Sequence, residues 1–328
     1  MDEKTQPYRW AVLGCGDIAN QLAQAMAKDG RSPYSITSRT YKNALTFAQK
    51  YGIPKVYEKI PELFADEKVD IVYISTPNNT HSQYIKEALR HGKHVLCEKA
   101  ITLNSAELAE AKGLAEENRV VLAEAMTIYH MPLYKKLYGM VQRGDLGKLK
   151  MIQTSFGSYK TYHMDNRFFN PALAGGALLD IGVYALSLVR WFLSAPPDHI
   201  LSQVKPAPSG VDEQAGILLM NPAGEMASAA LALHAKMPKR GVLSFDKGYI
   251  EICEYPRAAQ AVITYTADGS QKTITCGNPE DALNYEIHDM EQAVSGGNNE
   301  MHLDYTTDVM SIMTELRKEW GISYPEER

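Results

Sequence analysis

Residues 8–26 read YRWAVLGCGDIANQLAQAM, and this stretch decides the fold of the first part of the chain. Tyr8–Leu13 is an apolar run that predicts a buried strand. Gly14, Gly16 and Ala19 follow with the spacing GxGxxA, and apolar residues then recur at helical spacing. The stretch therefore predicts a strand, a tight glycine turn and a helix in direct succession, which is how a βαβ unit begins.

The residues of this turn are suited to holding a diphosphate. Gly14 permits the tight turn, Gly16 lets the backbone approach the pyrophosphate, and Ala19 permits close packing of the helix on the strand. Asp17 and Ile18 open the helix, whose free amide groups and dipole attract a negative charge. The pattern predicts a dinucleotide site formed by all five residues.

The end of the second strand decides which dinucleotide is preferred. An acid there binds the ribose hydroxyls of NAD, whereas an arginine favours the 2′-phosphate of NADP. Ser38 and Arg39 follow the predicted strand Tyr34–Thr37, with Lys42 nearby and no acid between them. Because the Arg39 guanidinium offers a planar set of donors, we predict NADP, with NAD as the alternative. Arg39 could instead stack on the adenine or lie in solvent.

Strand and helix signals alternate along the first part of the chain. This alternation predicts parallel βαβ units in a doubly wound Rossmann sheet, which we place in a dinucleotide-binding domain at residues 1–125. The predicted strands of this domain are Tyr8–Leu13, Tyr34–Thr37, Asp70–Ser75, His94–Glu98 and Val120–Ala123.

From about Tyr134 the rhythm changes, because strand signals follow one another across tight turns such as Asp246-Lys247-Gly248. This pattern predicts an α+β domain at residues 126–328 with a large open, mainly antiparallel sheet. The fold class is therefore α/β with a second α+β domain that binds substrate.

The composition excludes several classes of partner. The chain has 328 residues, of which 45% are hydrophobic and 22% charged, and a net charge of -5 without a basic stripe. We therefore expect no nucleic-acid partner. The longest apolar stretches, such as Ala177–Val189, are interrupted by Asp180, so we expect no membrane span. The N-terminal residues resemble no signal peptide, which favours the cytoplasm.

The cysteines and histidines do not predict a metal site. Cys15, Cys97, Cys253 and Cys276 are scattered singly, in neither a paired metal spacing nor a disulfide pattern. Hydride chemistry does not require a metal either. We expect small free thiols and no metal.

Three polar residues follow the ends of predicted parallel strands. Pro77 and Asn78 follow one strand and Lys99 follows the next, and ligands bind beyond these carboxyl ends. The Lys99 ammonium suits an alkoxide that develops as hydride leaves a carbon. The alternative is an exposed lysine paired with Glu98.

Asp180 and Tyr184 lie four residues apart on a predicted helix and so share one face. A carboxylate beside an apolar stripe is costly unless it has a partner or a task. A tyrosine can pass a proton to or from a reacting oxygen. The alternative is a structural hydrogen bond between the two side chains.

The sequence contains four motifs in combination: the GxGxxA turn, STPNNTH at 75–81, Glu98-Lys99, and GGALLDIGVY at 175–184. Together they resemble the Gfo/Idh/MocA oxidoreductase family, in particular its branch of dimeric dihydrodiol dehydrogenases and NADP-dependent D-xylose dehydrogenases. The resemblance implies a Rossmann domain, a C-terminal domain with an open antiparallel sheet, homodimers formed through that sheet, and nicotinamide-dependent oxidation or reduction of sugars and related polyols.

The resemblance also implies roles for individual residues. Tyr184 becomes the general acid/base assisted by Lys99, and Asp180 orients a substrate hydroxyl. Tyr129 is predicted to join these three as a substrate contact. Apart from the resemblance, Arg167 is a further predicted substrate contact, as one of the polar residues of the loop 158–171, with exposure to solvent as the alternative. The cofactor contacts implied beyond the glycine turn and the Ser38-Arg39 pair are Thr76, Pro77, Asn78, His81, Glu98 and Lys99. His81 also suits the first turn of a helix.

The sequence departs from the family pattern at two places. The proline that usually follows Glu-Lys is Ala100, and the segment 124–132 has Thr127 and Tyr129 where relatives often have Trp and Arg. Because of the second departure, the resemblance does not identify the substrate. Two other functions are an NAD-dependent polyol dehydrogenase of the inositol type and a nucleotide-binding regulator without catalysis.

Overall fold

The computed structural model describes residues 8–328. These residues form two units. The first contains the described residues up to Thr102, together with Ala106–Ala125 and Glu286–Met301. The second contains Leu103–Ser105, Met126–Tyr285 and His302–Arg328.

The first unit is built on a six-stranded parallel sheet with the order β3-β2-β1-β4-β5-β6. Its strands are β1 (Trp10–Leu13), β2 (Ser35–Thr37), β3 (Lys55–Val56), β4 (Ile71–Ile74), β5 (His94–Glu98) and β6 (Leu122–Ala125). Its connecting helices are α1 (Asp17–Lys28), α2 (Tyr41–Tyr51), α3 (Ile60–Ala65), α4 (His81–Arg90) and α5 (Ser105–Asn118).

The central strands carry apolar side chains on both faces because helices cover both sides of a parallel sheet. Every residue of β1 and β4 is fully buried. Since β1, β4 and β5 are parallel, their carboxyl ends lie at one edge of the sheet. The segments that follow them, beginning at Gly14, Ser75 and Lys99, therefore share that edge.

The second unit contains an eight-stranded sheet with the order β14-β13-β12-β11-β7-β10-β9-β8. Only β7 and β10 pair in parallel. The strands are β7 (Leu149–Gly157), β8 (His199–Pro206), β9 (Asp212–Met220), β10 (Met226–Ala232), β11 (Met237–Phe245), β12 (Gly248–Cys253), β13 (Gln260–Tyr265) and β14 (Gln271–Thr275). Its helices are α6 (Pro132–Gln142), α7 (Val183–Phe192) and α9 (Leu303–Trp320). Helix α8 (Ala282–Val294) begins in this unit, and its residues from Glu286 onward belong to the first.

A single π-helical turn, Leu178–Gly182, leads directly into α7. Helix α7 is apolar on nearly all sides and packs on β7, β10 and α9. The turn and α7 together form the helix that the sequence predicts from about Ala177, with its first turn wider than predicted.

The predicted fold class is confirmed, and the chain differs from the prediction in two details. The short strand β3 and the edge strand β8 were not predicted. Residues 286–301 also belong with the first unit, where Glu291 accepts hydrogen bonds from Trp10 Nε1 at 2.8 Å and Arg31 NH1 at 2.7 Å.

One apolar segment is longer than the sequence analysis allowed. Among the residues from 8 onward, Pro171–Phe192 has the length and composition that a membrane-spanning helix needs. It is 22 residues long, and 78% of its most apolar window is buried inside the protein. Because it contains α7, a core helix, its composition by itself is weak evidence for a membrane span.

Candidate active site

The glycine turn after β1 has the shape that a diphosphate requires. Gly14 has a φ of 109°, and a side chain there would lie 2.8 Å from the carbonyl oxygen of Ser75. Gly16 has open space around it and precedes α1, whose first turn has no side-chain cap. Ala19 is fully buried. The exposed amide groups of this helix terminus therefore fit the diphosphate of a dinucleotide.

The end of β2 presents a cation at the same edge of the sheet. Ser38 is buried, and its hydroxyl donates to the carbonyl of Thr40 at 2.8 Å. Arg39 is exposed and forms no ion pair with another described residue. Its guanidinium is therefore available to an anionic ligand.

The loop after β4 is tied to the turn that carries Lys99. His81, the first residue of α4, is fully buried. Its ring nitrogens Nδ1 and Nε2 lie 3.0 Å from the carbonyl oxygen of Ala100 and 2.8 Å from that of Thr76. Burial lowers the pKa of His81, although its two carbonyl partners act in the opposite direction. This placement favours positioning of the two loops over direct contact with a cofactor.

Pro77 and Asn78 lie on the same loop, between Thr76 and His81. Pro77 is exposed, and Asn78 begins a short 3-10 turn that ends at Thr80. The Thr80 hydroxyl donates to the carbonyl of Pro77 at 2.7 Å. The loop is therefore ordered by its own hydrogen bonds and leaves Pro77 open to a ligand.

Lys99 follows the last residue of β5 and is half-buried. The preceding residue, Glu98, accepts a short hydrogen bond from the hydroxyl of Tyr73. Burial and the nearby Glu98 charge raise the pKa of Tyr73 well above its usual value, so the phenol stays a donor. The Lys99–Ala100 peptide bond is cis.

In the second unit, Asp180 and Tyr184 occupy the π-helical turn and the start of α7. Asp180 Oδ1 lies 3.7 Å from a guanidinium nitrogen of Arg167, so two predicted substrate residues are neighbours. Tyr184 is half-buried, and its ring centre lies 6.1 Å from that of Phe156. A carboxylate, a guanidinium and a phenol are thus held on or beside one helix.

The helix that carries these residues is capped by a buried acid that the sequence analysis did not single out. Asp212 is fully buried, and its Oδ2 accepts a hydrogen bond from the Leu178 amide at 2.5 Å. Burial raises the pKa of Asp212 to about 7. A side chain at Gly176 would overlap this carboxylate. The tight Gly175-Gly176 pair was the only local sign of this arrangement.

The C-terminal segment supports the same turn. Tyr324 donates its hydroxyl to the carbonyl of Gly175 at 2.8 Å. Arg317 binds Glu327 through two nitrogens, at 2.8 and 2.7 Å. The start of the helix with Asp180 and Tyr184 is therefore held from both sides.

Tyr129, a predicted substrate contact, lies in the core of the second unit. Its ring is fully buried, with centres 5.4 Å from Trp191, 5.5 Å from His302 and 6.0 Å from Tyr305. This placement favours a packing role. The prediction that Tyr129 contacts substrate is untested.

A cavity of about 830 Å³ opens beside Tyr184. All its lining residues belong to the second unit, and they include Phe156, Lys239 and Arg257. Pockets of this size typically hold small-molecule ligands. Within residues 8–328, no cluster of three or more His, Cys, Asp or Glu side chains is placed to hold a metal.

Family comparisons agree with this arrangement. Residues 8–126 match the family described as oxidoreductase family, NAD-binding Rossmann fold. Residues 134–251 match the GFO/IDH/MocA C-terminal domain. The chain belongs to the Gfo/Idh/MocA oxidoreductase family. Members of this family bind NAD(P) in the Rossmann domain, so this chain is an NAD(P)-dependent dehydrogenase or reductase.

Three similar proteins show the range of the family. The trans-1,2-dihydrobenzene-1,2-diol dehydrogenase of Xenopus tropicalis is 26% identical over 97% of this chain and 99% of its own. The NADP-dependent scyllo-inositol 2-dehydrogenase of Bacillus subtilis is 28% identical over 98% of this chain and 99% of its own. A solved 3-ketoreductase from Actinomadura kijaniata, in complex with NADP and TDP-benzene, is 25% identical, with a TM-score of 0.82 over 95% of this chain and 96% of that one.

Proposed function

We propose that this Gfo/Idh/MocA enzyme transfers a hydride between NADP and a hydroxyl or carbonyl group of a sugar, polyol or dihydrodiol. The observation that carries the proposal is the placement of Lys99 at the carboxyl end of β5, on the edge of the sheet that also holds the glycine turn. A cation at this edge would lie close to the substrate oxygen, which gains negative charge during hydride transfer. Of the two alternatives, an enzyme of the inositol type would differ from the proposed enzyme in its substrate. A regulator without catalysis would show no turnover.

The proposed chemistry uses three side chains. When bound, the nicotinamide ring accepts or donates the hydride. During oxidation the Lys99 ammonium stabilises the negative charge that develops on the substrate oxygen, and Tyr184 takes the hydroxyl proton. During reduction Tyr184 returns a proton to the carbonyl oxygen. Asp180, beside Arg167, accepts a hydrogen bond from a neighbouring substrate hydroxyl and so fixes which carbon reacts.

A screen of substrates tests this proposal directly. Sugars, inositols and vicinal diols are incubated with NADP or NAD, and absorbance at 340 nm reports hydride transfer whatever the substrate is. We expect a signal with at least one diol-bearing compound and NADP, and no signal in the same assay with Lys99→Ala. Absence of any lysine-dependent signal would favour the regulator, and a signal with inositols and NAD alone would favour the inositol type.

Arg39 supports the preference for NADP. The exposed guanidinium follows β2, and no acid stands at that position. The Bacillus relative uses NADP and the Actinomadura reductase binds it, which is consistent with this preference. A charge-assisted hydrogen bond from Arg39 to the 2′-phosphate would account for it.

Replacing Arg39 by alanine is expected to lower kcat/KM for NADP by about 10- to 100-fold, because a hydrogen bond to a charged group contributes about 1.5–3 kcal/mol. The value for NAD serves as the internal control and should change by less than about twofold. Steady-state rates with both cofactors give the ratio. A preference for NADP that survives the substitution would contradict the role of Arg39.

We also propose that the open face of the eight-stranded sheet forms a homodimer. Leu201 and Leu218 are paired across β8 and β9 and are 69% and 45% exposed. Met226 and Tyr249 lie on one cross-strand row, next to the row of the two leucines, and are 41% and 38% exposed. Apolar residues exposed together on one face of a sheet mark association surfaces.

Leu218→Asp is expected to convert a dimer into a monomer in size-exclusion chromatography with light scattering. In a twofold interface each substitution occurs twice, so the dimer dissociation constant should rise by about 100- to 1000-fold. Leu45→Asp is a matched control, since Leu45 is 44% exposed on α2, outside this face. A monomeric wild type, or equal effects of both substitutions, would contradict the proposal.

The four cysteines support a reducing compartment, for which we propose the cytoplasm. None of them forms a disulfide, and Cys97 is fully buried in β5. Scattered unpaired thiols are typical of proteins that are not exposed to an oxidising environment. Localisation of a tagged full-length chain by fractionation tests this point.

A further inference from the structure

The cavity beside Tyr184 lies where two strands of the sheet separate. Strands β12 and β13 are paired as far as Glu251 and Val262. Beyond that pair the chain leaves the ladder, forms a short turn at Tyr255–Arg257 and begins β13 at Gln260. Residues of both strand ends and of the turn between them line the cavity, together with Lys239 of β11 and Thr275 of β14.

The cavity is larger than the sugar or diol ring that would carry the reacting hydroxyl. Its volume is about 830 Å³. Typical pockets for drug-sized ligands occupy roughly 300–1,000 Å³. One sugar or diol ring would fill only a small part of this space, so a substrate that reaches Tyr184 has room for a second group.

The lining of the cavity is mostly apolar. Tyr184 and Phe156 supply aromatic rings, and the rest of the apolar lining comes from short side chains. These short residues include Pro256, Ala258, Ala259, Ala261 and Val262. An apolar group that enters such a space leaves water, and an aromatic ring gains further from rings nearby.

The charged residues of the lining balance one another. Lys239 Nζ forms an ion pair with Glu254 at 2.9 Å. Glu251 is paired at 2.8 Å with Arg240, which lies outside the cavity, and Arg257 is the second cation of the lining. The lining therefore has two cations and two carboxylates, and its zero net formal charge does not attract a phosphate.

We propose that the substrate carries an uncharged aryl substituent, and that this substituent occupies the cavity between β12 and β13 while the neighbouring hydroxyl reacts at Tyr184. The inference rests on the proposed role of Tyr184. It narrows the substrate class to aryl-substituted sugars, polyols or diols. It also predicts that nucleoside diphosphate sugars are poor substrates, since a lining without net positive charge does not neutralise their diphosphate.

Matched glycosides test the substrate class. Methyl, phenyl and uridine-diphosphate derivatives of glucose, galactose and xylose are compared at saturating NADP. We expect kcat/KM to be about tenfold or more higher for the phenyl than for the methyl compound, mainly through KM, because a phenyl ring leaves water. Equal values for these two, or a preference for the nucleotide sugar, would overturn the inference.

A substitution that fills the cavity tests its position. Ala259→Phe should lower kcat/KM for the phenyl glycoside about tenfold more than for the methyl glycoside. Ala267→Phe is the matched control, because Ala267 is exposed in the turn between β13 and β14. The control should leave both values unchanged. Equal losses for the two glycosides in Ala259→Phe would contradict the assignment.

Calorimetry separates this inference from the proposed function. With NADPH bound, a glycoside cannot be oxidised, so binding is measured without turnover. Tighter binding of phenyl than of methyl glycosides supports the aryl site, even if no compound reacts. A lack of any reaction would instead contradict the proposed function. If the enzyme turns substrates over but binds phenyl and methyl glycosides equally, or binds neither, the aryl site alone is overturned.

Discussion

Lys99→Ala is expected to lower kcat/KM by about 1000-fold or more. Removing one group that stabilises a developing oxyanion costs about 100- to 1000-fold in rate, and in the proposed mechanism Lys99 also supports the proton transfer by Tyr184. Lys99 is half-buried and follows β5, and in this mechanism its loss removes the ammonium that stabilises the substrate oxygen. Steady-state rates at 340 nm measure the effect.

The binding of NADP separates catalysis from folding in this variant. Its dissociation constant, measured by fluorescence, should change by less than about fivefold, because the proposal assigns cofactor binding mainly to the glycine turn and Arg39. Lys86→Ala is a control for loss of a lysine from the same unit, since Lys86 lies on α4 and pairs with Glu110. Partial rescue of Lys99→Ala by added ethylamine would identify the missing group as an ammonium. A variant with normal turnover would refute the proposed mechanism.

Tyr184→Phe is expected to lower kcat/KM by about 100- to 10,000-fold, the usual contribution of a positioned acid/base group. The ring would keep its contact with Phe156, so only the hydroxyl is lost. The profile of kcat/KM against pH should lose the limb that the proton-transferring group produces. Tyr159→Phe is the control, because Tyr159 is 56% exposed, and it should leave kcat/KM and its pH profile unchanged.

The double variant tests whether the two residues act together. If Lys99 and Tyr184 serve the same oxygen, the loss in Lys99→Ala/Tyr184→Phe should be far smaller than the product of the single losses. Multiplicative losses would show that the two side chains act in separate steps. A Tyr184→Phe variant with an unchanged pH profile would assign the proton to another group.

A buried cap supports the helix that carries Asp180 and Tyr184 in the second unit. Asp212 accepts a hydrogen bond from the Leu178 amide, and the Tyr324 hydroxyl donates one to the carbonyl of Gly175. Both hydrogen bonds therefore fix the backbone just before Asp180. A helix terminus that is buried must have its backbone groups satisfied in this way. The glycines permit the close approach, because any side chain at Gly176 would collide with the carboxylate.

Local patterns account for what could be predicted correctly. The run into Gly14, the glycine spacing and the alternation of strands and helices are properties of neighbouring residues, and they led to the confirmed fold class. The strands that were missed have weak local signals. Strand β8 is an edge strand whose residues are mostly exposed, and β3 has only two residues. The π-helical turn was not predicted either, since the spacing of apolar residues cannot distinguish one widened turn from a regular helix.

The amino-acid sequence alone determined the dinucleotide-binding turn and placed Lys99 after a parallel strand, because both depend on residues close together in the chain. Tertiary structure decided what surrounds them. The cap by Asp212 joins residues 34 positions apart, and the cavity beside Tyr184 joins β7, α7 and the gap between β12 and β13. Such contacts depend on packing of distant segments, and no local pattern encodes that packing.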